Sequence, residues 1–415
     1  MKKIWSNYKQ TIILIGSLLI GAIAGLIWKE KCEIVKPLGD LFLNMLFVVV
    51  IPLIFLTITT SIAKIKQPKR LGKVLGSIIG VFVITSLVAV AVGLVSTYSM
   101  KLVDTNDSQA ILETLAEGEE ASDIELNILQ RTVEAISTGD FVNLLSKNNI
   151  LALVIFSILV GLAISKVGEK AKPFEELLNS ANAVILKLID IIFYFAPIGL
   201  GCYFASLIGT FGNEIAVGYF KTFVIYTVVA ILFYFIIYSL YAFIAGGKKG
   251  FVKFWQNVIP ATATSISTCS SAACIPINTK CAKNIGVSDD IAETIIPLGT
   301  SFHKDGSIIG SVFKIMFLAY LFGTNVYSFS GISSVIVTAL IANLLVVAVP
   351  VGGGTISEML ILSMMNFPVA ALPILTIIAT IIDPPATMLN VVGDTSSSML
   401  AARIVDGKNW LQKKK

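Results

Sequence analysis

The sequence has few charged residues for its length. Only 14% of its 415 residues are Asp, Glu, Lys or Arg, whereas soluble domains carry about 25%. Hydrophobic residues make up 55% of the chain and the mean hydropathy is +0.86. A soluble core has no room for so many apolar side chains. The composition therefore excludes a set of soluble domains and indicates a chain that is solvated by a lipid bilayer.

Cysteine and histidine are also scarce. The five cysteines are an odd number and lie mostly among apolar or small residues, which argues against a disulfide framework. Cys269, Cys274 and Cys281 are spaced five and seven residues apart, which is poor spacing for a zinc site. The net charge of +5 comes from short lysine clusters between apolar runs, so it does not indicate nucleic-acid binding. His303 is the only histidine.

Long apolar runs dominate the first half of the chain. A helix needs about 20 such residues to cross the hydrocarbon core. The N-terminal run begins with lysines, as a secretory signal does, but it lacks a small-residue cleavage site, so we expect a retained helix. The predicted spans cover residues 11–28, 38–63, 74–98, 148–165, 184–209 and 218–245.

The charges between these runs predict their orientation. Lysine clusters precede the first run, separate the second from the third, and follow the fourth and the sixth. Basic residues mark cytoplasmic loops, and all four clusters fall on one side if each run crosses once. Residues 104–125 carry eight acidic residues and no basic one, and they fall on the outer side. Basic residues near the C-terminus predict that this end is cytoplasmic too.

The apolar runs of the second half are interrupted by Gly, Pro, Ser, Thr and Asn. Non-helical backbone at membrane depth is tolerated only where protein buries it or where it lines a watery cavity. STCSSAAC (267–274) and VPVGGGT (349–355) are typical of the tips of re-entrant hairpins. Each precedes a span with a polar interruption, first at 303–305 and then at 390–394. A hairpin followed by a broken helix, twice, indicates a transporter with inverted repeats.

Four segments carry a more specific signal. They are FYFAPIGLG (193–201), STCSSAACIP (267–276), PLGTSFHKDGS (297–307) and NVVGD (390–394). In this order they resemble the dicarboxylate/amino acid:cation symporters, and the resemblance covers nearly the whole chain. It implies an all-α polytopic membrane protein, with eight transmembrane helices plus two re-entrant helical hairpins in inverted repeats. It also implies a homotrimer in the bacterial cytoplasmic (inner) membrane, with both termini cytoplasmic.

The resemblance further implies an elevator-type transporter, in which a transport domain slides against a fixed scaffold and the second hairpin is the gate. The implied scaffold comprises spans 1 and 2 in residues 1–70 and spans 4 and 5 in residues 141–215. The implied transport domain comprises span 3 in residues 71–103 and all of residues 216–415, which hold span 6, hairpin 1, span 7, hairpin 2 and span 8. Residues 104–140 would form an extracellular acidic loop.

Sodium ions are the coupling ions that the resemblance implies. The first site would comprise Asp394 with the backbone carbonyls of Gly299, His303 and Asn390. A carboxylate within an apolar run is a functional candidate by default, although a structural ion pair with Lys304 is the alternative. A second site would use carbonyls near Thr300 and Ser301 and from the second hairpin.

A third family site is altered in this chain. The chain keeps Thr85, Ser86 and Asp305, but Phe82 and His303 stand where the family has Tyr and Asn, and Lys304 replaces a methionine. We expect the ammonium group of Lys304 to stand in for one bound cation, since it lies beside Asp305. Alternatively His303, which gains and loses a proton near neutral pH, couples protons, or Lys304 is only structural.

Substrate binding is expected on the last helix. Asp383 and Asn390 are seven residues apart, which places them on one helical face. By resemblance, Asn390 binds the substrate's α-carboxylate and Asp383 its α-ammonium group, although Asp383 could instead cap a helix that starts before Pro384. Further implied contacts with the substrate are Ser270, Ser271, Ser307, Gly353, Ala386 and Thr387.

The expected substrate is a neutral L-amino acid. Members of the family that carry acidic substrates have an arginine at the position of Ala386, and Cys269 stands where some prokaryotic members have one in the first hairpin. A guanidinium group matches a second carboxylate, and neither position supplies one. The alternative is proton-coupled uptake of an acidic amino acid or a dicarboxylate, with Lys304 as counter-charge. An ion channel or a membrane enzyme fits the pattern less well, because the hairpins are inverted and no activated nucleophile is evident.

Overall fold

A computed structural model describes residues 2–63, 71–103, 137–146, 149–211, 213–344 and 354–412. Helices joined by short connections make up these residues, and no β-strand occurs among them. Of the predicted acidic loop, 104–136 lies outside this part. The helices are α1 (Lys2–Trp28), α2 (Lys36–Ala63), α3 (Leu71–Ser99), α4 (Phe141–Leu144), α5 (Ile150–Val167), α6 (Lys172–Phe211), α7 (Asn213–Leu232), α8 (Tyr238–Asn257), α9 (Ile259–Thr268), α10 (Ser271–Ile285), α11 (Asp289–Phe302), α12 (Asp305–Leu321), α13 (Phe329–Leu344), α14 (Thr355–Met364) and α15 (Leu372–Asp406).

Several helical stretches are long and apolar enough to cross a membrane. Gly76–Ser99, Ile215–Asn257 and Val369–Asp406 each meet that requirement, and the pair Ile155–Ile189 and Tyr194–Thr210, bent by 52°, counts as a fourth. The predicted span near 218–245 lies within the second of these stretches, and the one near 74–98 lies within α3 and overlaps the first stretch from residue 76. The apolar runs near 11–28 and 38–63 lie within α1 and α2.

The first predicted interruption is confirmed. Helix α11 ends at Phe302, and the backbone of His303 (φ −128°, ψ 108°) and Lys304 (φ −143°, ψ 83°) is extended before α12 begins at Asp305. The amide of His303 still donates to the Gly299 carbonyl at 2.8 Å. Two buried residues with extended backbone therefore separate α11 from α12.

The second predicted interruption is wrong. Helix α15 continues from Leu372 to Asp406 through Asn390 and Asp394. A single Gly393 is tolerated in a helix that is buried on all sides, and the serines that follow can bond to backbone carbonyls of the preceding turn, as Ser396 does to Gly393 at 2.9 Å. Asp383 is consequently interior to the helix, and the alternative that it caps a helix start is excluded.

A tight turn joins α9 to α10. Cys269 adopts a left-handed conformation (φ 47°) that ends α9, and the Ser270 hydroxyl caps α10 by accepting from the Ala273 amide at 3.3 Å. Helices α13 and α14 flank the second predicted hairpin tip, of which residues 349–353 lie outside the described part.

Helix α15 is the central helix of the second half of the chain. It packs against α3 and α7 to α12, and nearly every residue from Ala386 to Met399 is buried. Helices α1, α2, α5 and α6 pack mainly on one another. The unwound link between α11 and α12 is thereby pressed against the middle of α15.

Candidate functional site

The imidazole of His303 lies between two carboxylates. Its Nε2 is 3.1 Å from Asp305 Oδ1 and 2.7 Å from the Thr85 hydroxyl, while its Nδ1 is 3.2 Å from Asp394 Oδ1. The Thr85 hydroxyl itself donates to the Val81 carbonyl at 2.9 Å, so it can accept from the ring. Each ring nitrogen thus faces oxygen acceptors, an arrangement that suits a ring donating from both.

Packing fixes the plane of this ring. Phe82 stacks on it, and the side chain of His303 has no exposed surface. The other oxygen of Asp305, Oδ2, lies 3.1 Å from the Tyr238 hydroxyl, whose one hydrogen can be donated either to it or to the Leu389 carbonyl at 2.6 Å. The structure therefore places Thr85, His303, Asp305 and Asp394 in one buried cluster. Ser86 is buried on the same helix as Thr85.

The predicted sodium ligands differ in how well they fit an ion. The resemblance assigned oxygens of Thr85 and Asp305 to a third sodium ion. These oxygens contact the imidazole, so in this arrangement they are less suitable as sodium ligands. Asp394 also contacts the imidazole, through Oδ1, but its Oδ2 does not: Oδ2 accepts from the Thr300 hydroxyl at 3.4 Å, and the carboxylate lies against the Gly299 backbone, where a Cβ would overlap it. These are the hard oxygen atoms that monovalent cations prefer.

Lys304 is buried beside this cluster. Its side chain is 1% exposed, and it interacts electrostatically with Asp394. The side chain of Ser301 lies outside what the structure describes, as does Gly353.

The predicted substrate residues of α12 and α15 are brought together. The Asn390 side chain accepts from the Ser307 amide at 3.0 Å and donates to the Ser307 hydroxyl at 3.1 Å. Three residues before Asn390, the Thr387 hydroxyl donates to Asp383 Oδ1 at 3.1 Å. Ala386 lies between them, and a Cβ on Gly306 would overlap its carbonyl oxygen. A row of polar groups therefore lines one face of α15 where α12 begins.

The first hairpin reaches the same stretch of α15. The Asn278 side chain, on α10, donates to the Val391 carbonyl at 2.8 Å and accepts from the Thr395 hydroxyl. Ser270 and Ser271, which the sequence assigned to the substrate, are buried at the turn that begins α10.

Sequence reasoning missed one buried ion pair. Lys314 Nζ, on α12, is 3.0 Å from Glu358 Oε1, on α14, and the Thr376 hydroxyl of α15 donates to Glu358 Oε2 at 2.8 Å. A signal was available, since both residues are ionisable and interrupt apolar runs. Their pairing could not be read from the sequence, because 43 residues separate them.

Comparison with known proteins supplies the wider context. The chain is 29% identical to the L-cystine uptake protein TcyP of Bacillus subtilis (strain 168), over 97% of this chain and 90% of that protein. It is 28% identical to the protein of the same name from Bacillus licheniformis, over 98% and 91%. It is 26% identical to the proton/sodium-glutamate symport protein of Bacillus caldotenax, over 94% and 93%.

These relatives are transporters, so the chain is a secondary transporter and not an enzyme. Its apolar helices and its bacterial relatives indicate a multi-pass protein of the inner membrane. The pattern of one family, the sodium:dicarboxylate symporters, matches residues 10–404. The chain therefore belongs to the sodium:dicarboxylate symporter family.

Proposed function

We propose that this transporter carries a neutral L-amino acid into the cell together with sodium ions. The observation that carries the proposal is the polar row of Asp383, Thr387 and Asn390 on α15, with Ser307 opposite. An amide suits an α-carboxylate, and a carboxylate suits an α-ammonium group. Both halves of an amino-acid head group find a partner, whereas a plain dicarboxylate brings nothing to Asp383.

A neutral side chain is proposed because no guanidinium group lies near this row in the part of the chain that the structure describes. Its arginines are Arg70, Arg131 and Arg403. Arg403 lies in the last turn of α15, where it donates to the Ala245 carbonyl at 3.4 Å. The relatives named for L-cystine support the proposal, since cystine carries two zwitterionic head groups and no net charge near neutral pH.

The relative named for glutamate favours a second candidate. It is proton-coupled uptake of an acidic amino acid or dicarboxylate, with Lys304 as the counter-charge. One uptake experiment on purified protein in proteoliposomes separates the two: labelled serine, alanine, cystine and aspartate are offered with a sodium gradient alone or a proton gradient alone. Sodium-driven uptake of the neutral substrates supports the first candidate. Aspartate uptake that needs no sodium overturns it.

The basic pair His303–Lys304 is proposed to lower the number of sodium ions per cycle. The sequence suggested Lys304 as the built-in cation, and its electrostatic interaction with Asp394 supports that role. The contacts of His303 with both carboxylates make it the stronger candidate of the two. We expect two sodium ions per substrate, measured from the reversal potential of uptake in proteoliposomes, and a value of three overturns this part of the proposal.

The assembly and the motion are proposed on the family resemblance. The transporter would be a homotrimer with both termini cytoplasmic, its transport domain would slide as an elevator, and the second hairpin would open as the gate. Native mass spectrometry tests the trimer, and a monomeric mass contradicts it. Labelling of cysteines introduced at each terminus, in intact cells and in inverted vesicles, tests the orientation.

A further inference from the structure

The Lys314–Glu358 pair lies next to the proposed substrate row. Lys314 is seven residues after Ser307 on α12, so both lie on one face of that helix, about 10 Å apart along its axis. On α15, Thr376, Asp383 and Asn390 are also spaced by seven and share a face. Two contacts therefore join the two faces. One is between Ser307 and Asn390, and in the other Glu358 bridges Lys314 and Thr376. Asp383 lies midway between them on α15.

The residues around these two contacts differ in burial. Lys314 and Glu358 are 6% and 1% exposed, whereas Ser307, Asp383 and Gly354 are all partly exposed. Gly354 follows the predicted tip of the second hairpin, and a Cβ there would lie 2.9 Å from Glu358 Oε1 and 3.7 Å from Lys314 Nζ. Lys314 also interacts electrostatically with Asp383. The ion pair therefore lies close to Asp383, which would hold the ammonium group of the substrate in the proposed function.

We propose that Lys314 and Glu358 form a distal subsite that binds a second zwitterionic group on the substrate. This inference rests on the proposed function, in which Asn390 and Asp383 hold the first head group. The distal carboxylate of the substrate pairs with the ammonium group of Lys314, and its distal ammonium group pairs with Glu358. The substrate class is then an amino acid with an amino-acid head group at each end.

Charge balance explains why such a substrate is preferred. In the absence of substrate the two protein charges neutralise each other at 3.0 Å. A distal zwitterionic group on the substrate adds one positive and one negative charge, so each charge of the protein and of the substrate has an opposite charge beside it. A substrate with a single distal charge engages one partner and leaves the other uncompensated in a buried place, which is costly.

The test compares ligands that differ only in their distal group. Binding to the purified full-length chain in sodium is measured by titration calorimetry with L-cystathionine (a thioether with two amino-acid ends), L-methionine, L-glutamate and L-lysine. We expect L-cystathionine to bind at least tenfold more tightly than each of the others. Equal affinity for L-cystathionine and L-methionine overturns the proposal.

A double variant then assigns the effect to the pair. Lys314→Met with Glu358→Gln removes both charges, so neither remains buried alone, and size-exclusion chromatography checks that it folds. We expect the advantage of L-cystathionine over L-methionine to fall at least tenfold. An equal loss for all four ligands overturns the proposal and assigns the pair to holding α14 in place.

A matched control uses an exposed ion pair that joins α10 to α11. Lys283 and Glu293 are 2.5 Å apart with side chains 27% and 63% exposed, and the variant Lys283→Met with Glu293→Gln is expected to keep the full ligand ranking. Failure of the proposed function has a different signature. It is the absence of sodium-driven serine uptake by the unaltered protein in proteoliposomes, whatever the calorimetric ranking.

Discussion

The phenyl ring of Phe82 lies parallel to the imidazole of His303, with ring centroids 4.4 Å apart and ring planes 9° apart. This stack joins α3 to the unwound link between α11 and α12. It holds the imidazole in the plane in which its nitrogens reach Asp305 and Asp394. Phe82 thus orients the ring of His303, and that ring contacts carboxylate oxygens that would otherwise be available to a cation.

Replacing both rings is expected to restore an ion site. In Phe82→Tyr with His303→Asn, the imidazole is removed and two oxygen-bearing groups are added beside Thr85 and Asp305. We expect the number of sodium ions per substrate to rise by one, measured from reversal potentials in proteoliposomes. Phe82→Tyr alone keeps the imidazole and serves as the control. An unchanged stoichiometry in the double variant would show that the rings do not decide ion number.

Asp383→Asn tests the proposed ammonium contact. The amide can still accept from the Thr387 hydroxyl, so the local structure is retained. A hydrogen bond to a charged group contributes about 1.5–3 kcal/mol, and 1.4 kcal/mol is about tenfold. We expect the apparent Kd for serine to rise about tenfold or more, measured by calorimetry. The matching hydroxy acid, glycerate, lacks the ammonium group, and a similar loss for it would contradict the assignment.

Asn390→Ala tests the proposed carboxylate contact. It removes the side chain that both accepts from and donates to Ser307, and it leaves the Ser307 amide without that partner. We expect sodium-driven uptake of serine to fall about tenfold or more at subsaturating substrate, because the hydrogen bond from the amide to the charged α-carboxylate is lost and such a bond contributes about 1.5–3 kcal/mol. Ser307→Ala keeps the amide contact and should lose less. Equal losses in the two variants would indicate a purely structural effect.

Ala386→Arg tests why the site is expected to prefer neutral substrates. An arginine here places a guanidinium fork next to Thr387, where it can pair with a side-chain carboxylate. We expect the ratio of aspartate to serine uptake to rise about tenfold or more, measured with labelled substrates in proteoliposomes. Ala386→Met adds bulk without charge and is the control. A rise in both variants would mean that size, not charge, changes the selectivity.

Gly306→Ala tests the contact between α12 and α15. The added methyl group overlaps the backbone of Ala386, which cannot turn aside as a side chain could. Overpacking of this kind costs about 1–3 kcal/mol or more, so we expect a lower thermal unfolding temperature and reduced uptake. Gly80→Ala is the matched control, because an added Cβ there meets nothing within 4 Å. Equal stability of the two variants would contradict the close packing.

The sequence predicted the break between α11 and α12, because residues at the break itself cause it. The run at 297–307 combines small residues with three ionisable ones, and the helix does break at His303 and Lys304. The same reasoning failed at 390–394, because burial of α15 on all sides overrides the weak helix preference of Gly393 and its polar neighbours. Helix continuity there depends on partners that are distant in the sequence.

The sequence predicted which residues belong to the candidate site, but not which side chains contact each other. Asp305, Asp394 and Thr85 were all expected near a cation, yet the sequence pointed to Lys304, not to the imidazole of His303, as the group that joins them. The side-chain direction of adjacent residues in an extended link depends on packing, here against Phe82. Lys314 and Glu358 were overlooked for the same reason, since only the folded chain brings them together.

Three glycines described above have a mechanical consequence. At Gly299, Gly306 and Gly393, a Cβ would collide with Asp394, Ala386 and Asp305 respectively. Such close packing leaves no clearance for one helix to slip along the other. Any displacement of the segment from α11 to α12 must then carry helix α15 with it, so that the groups proposed to contact ions and those proposed to contact substrate keep their mutual distances.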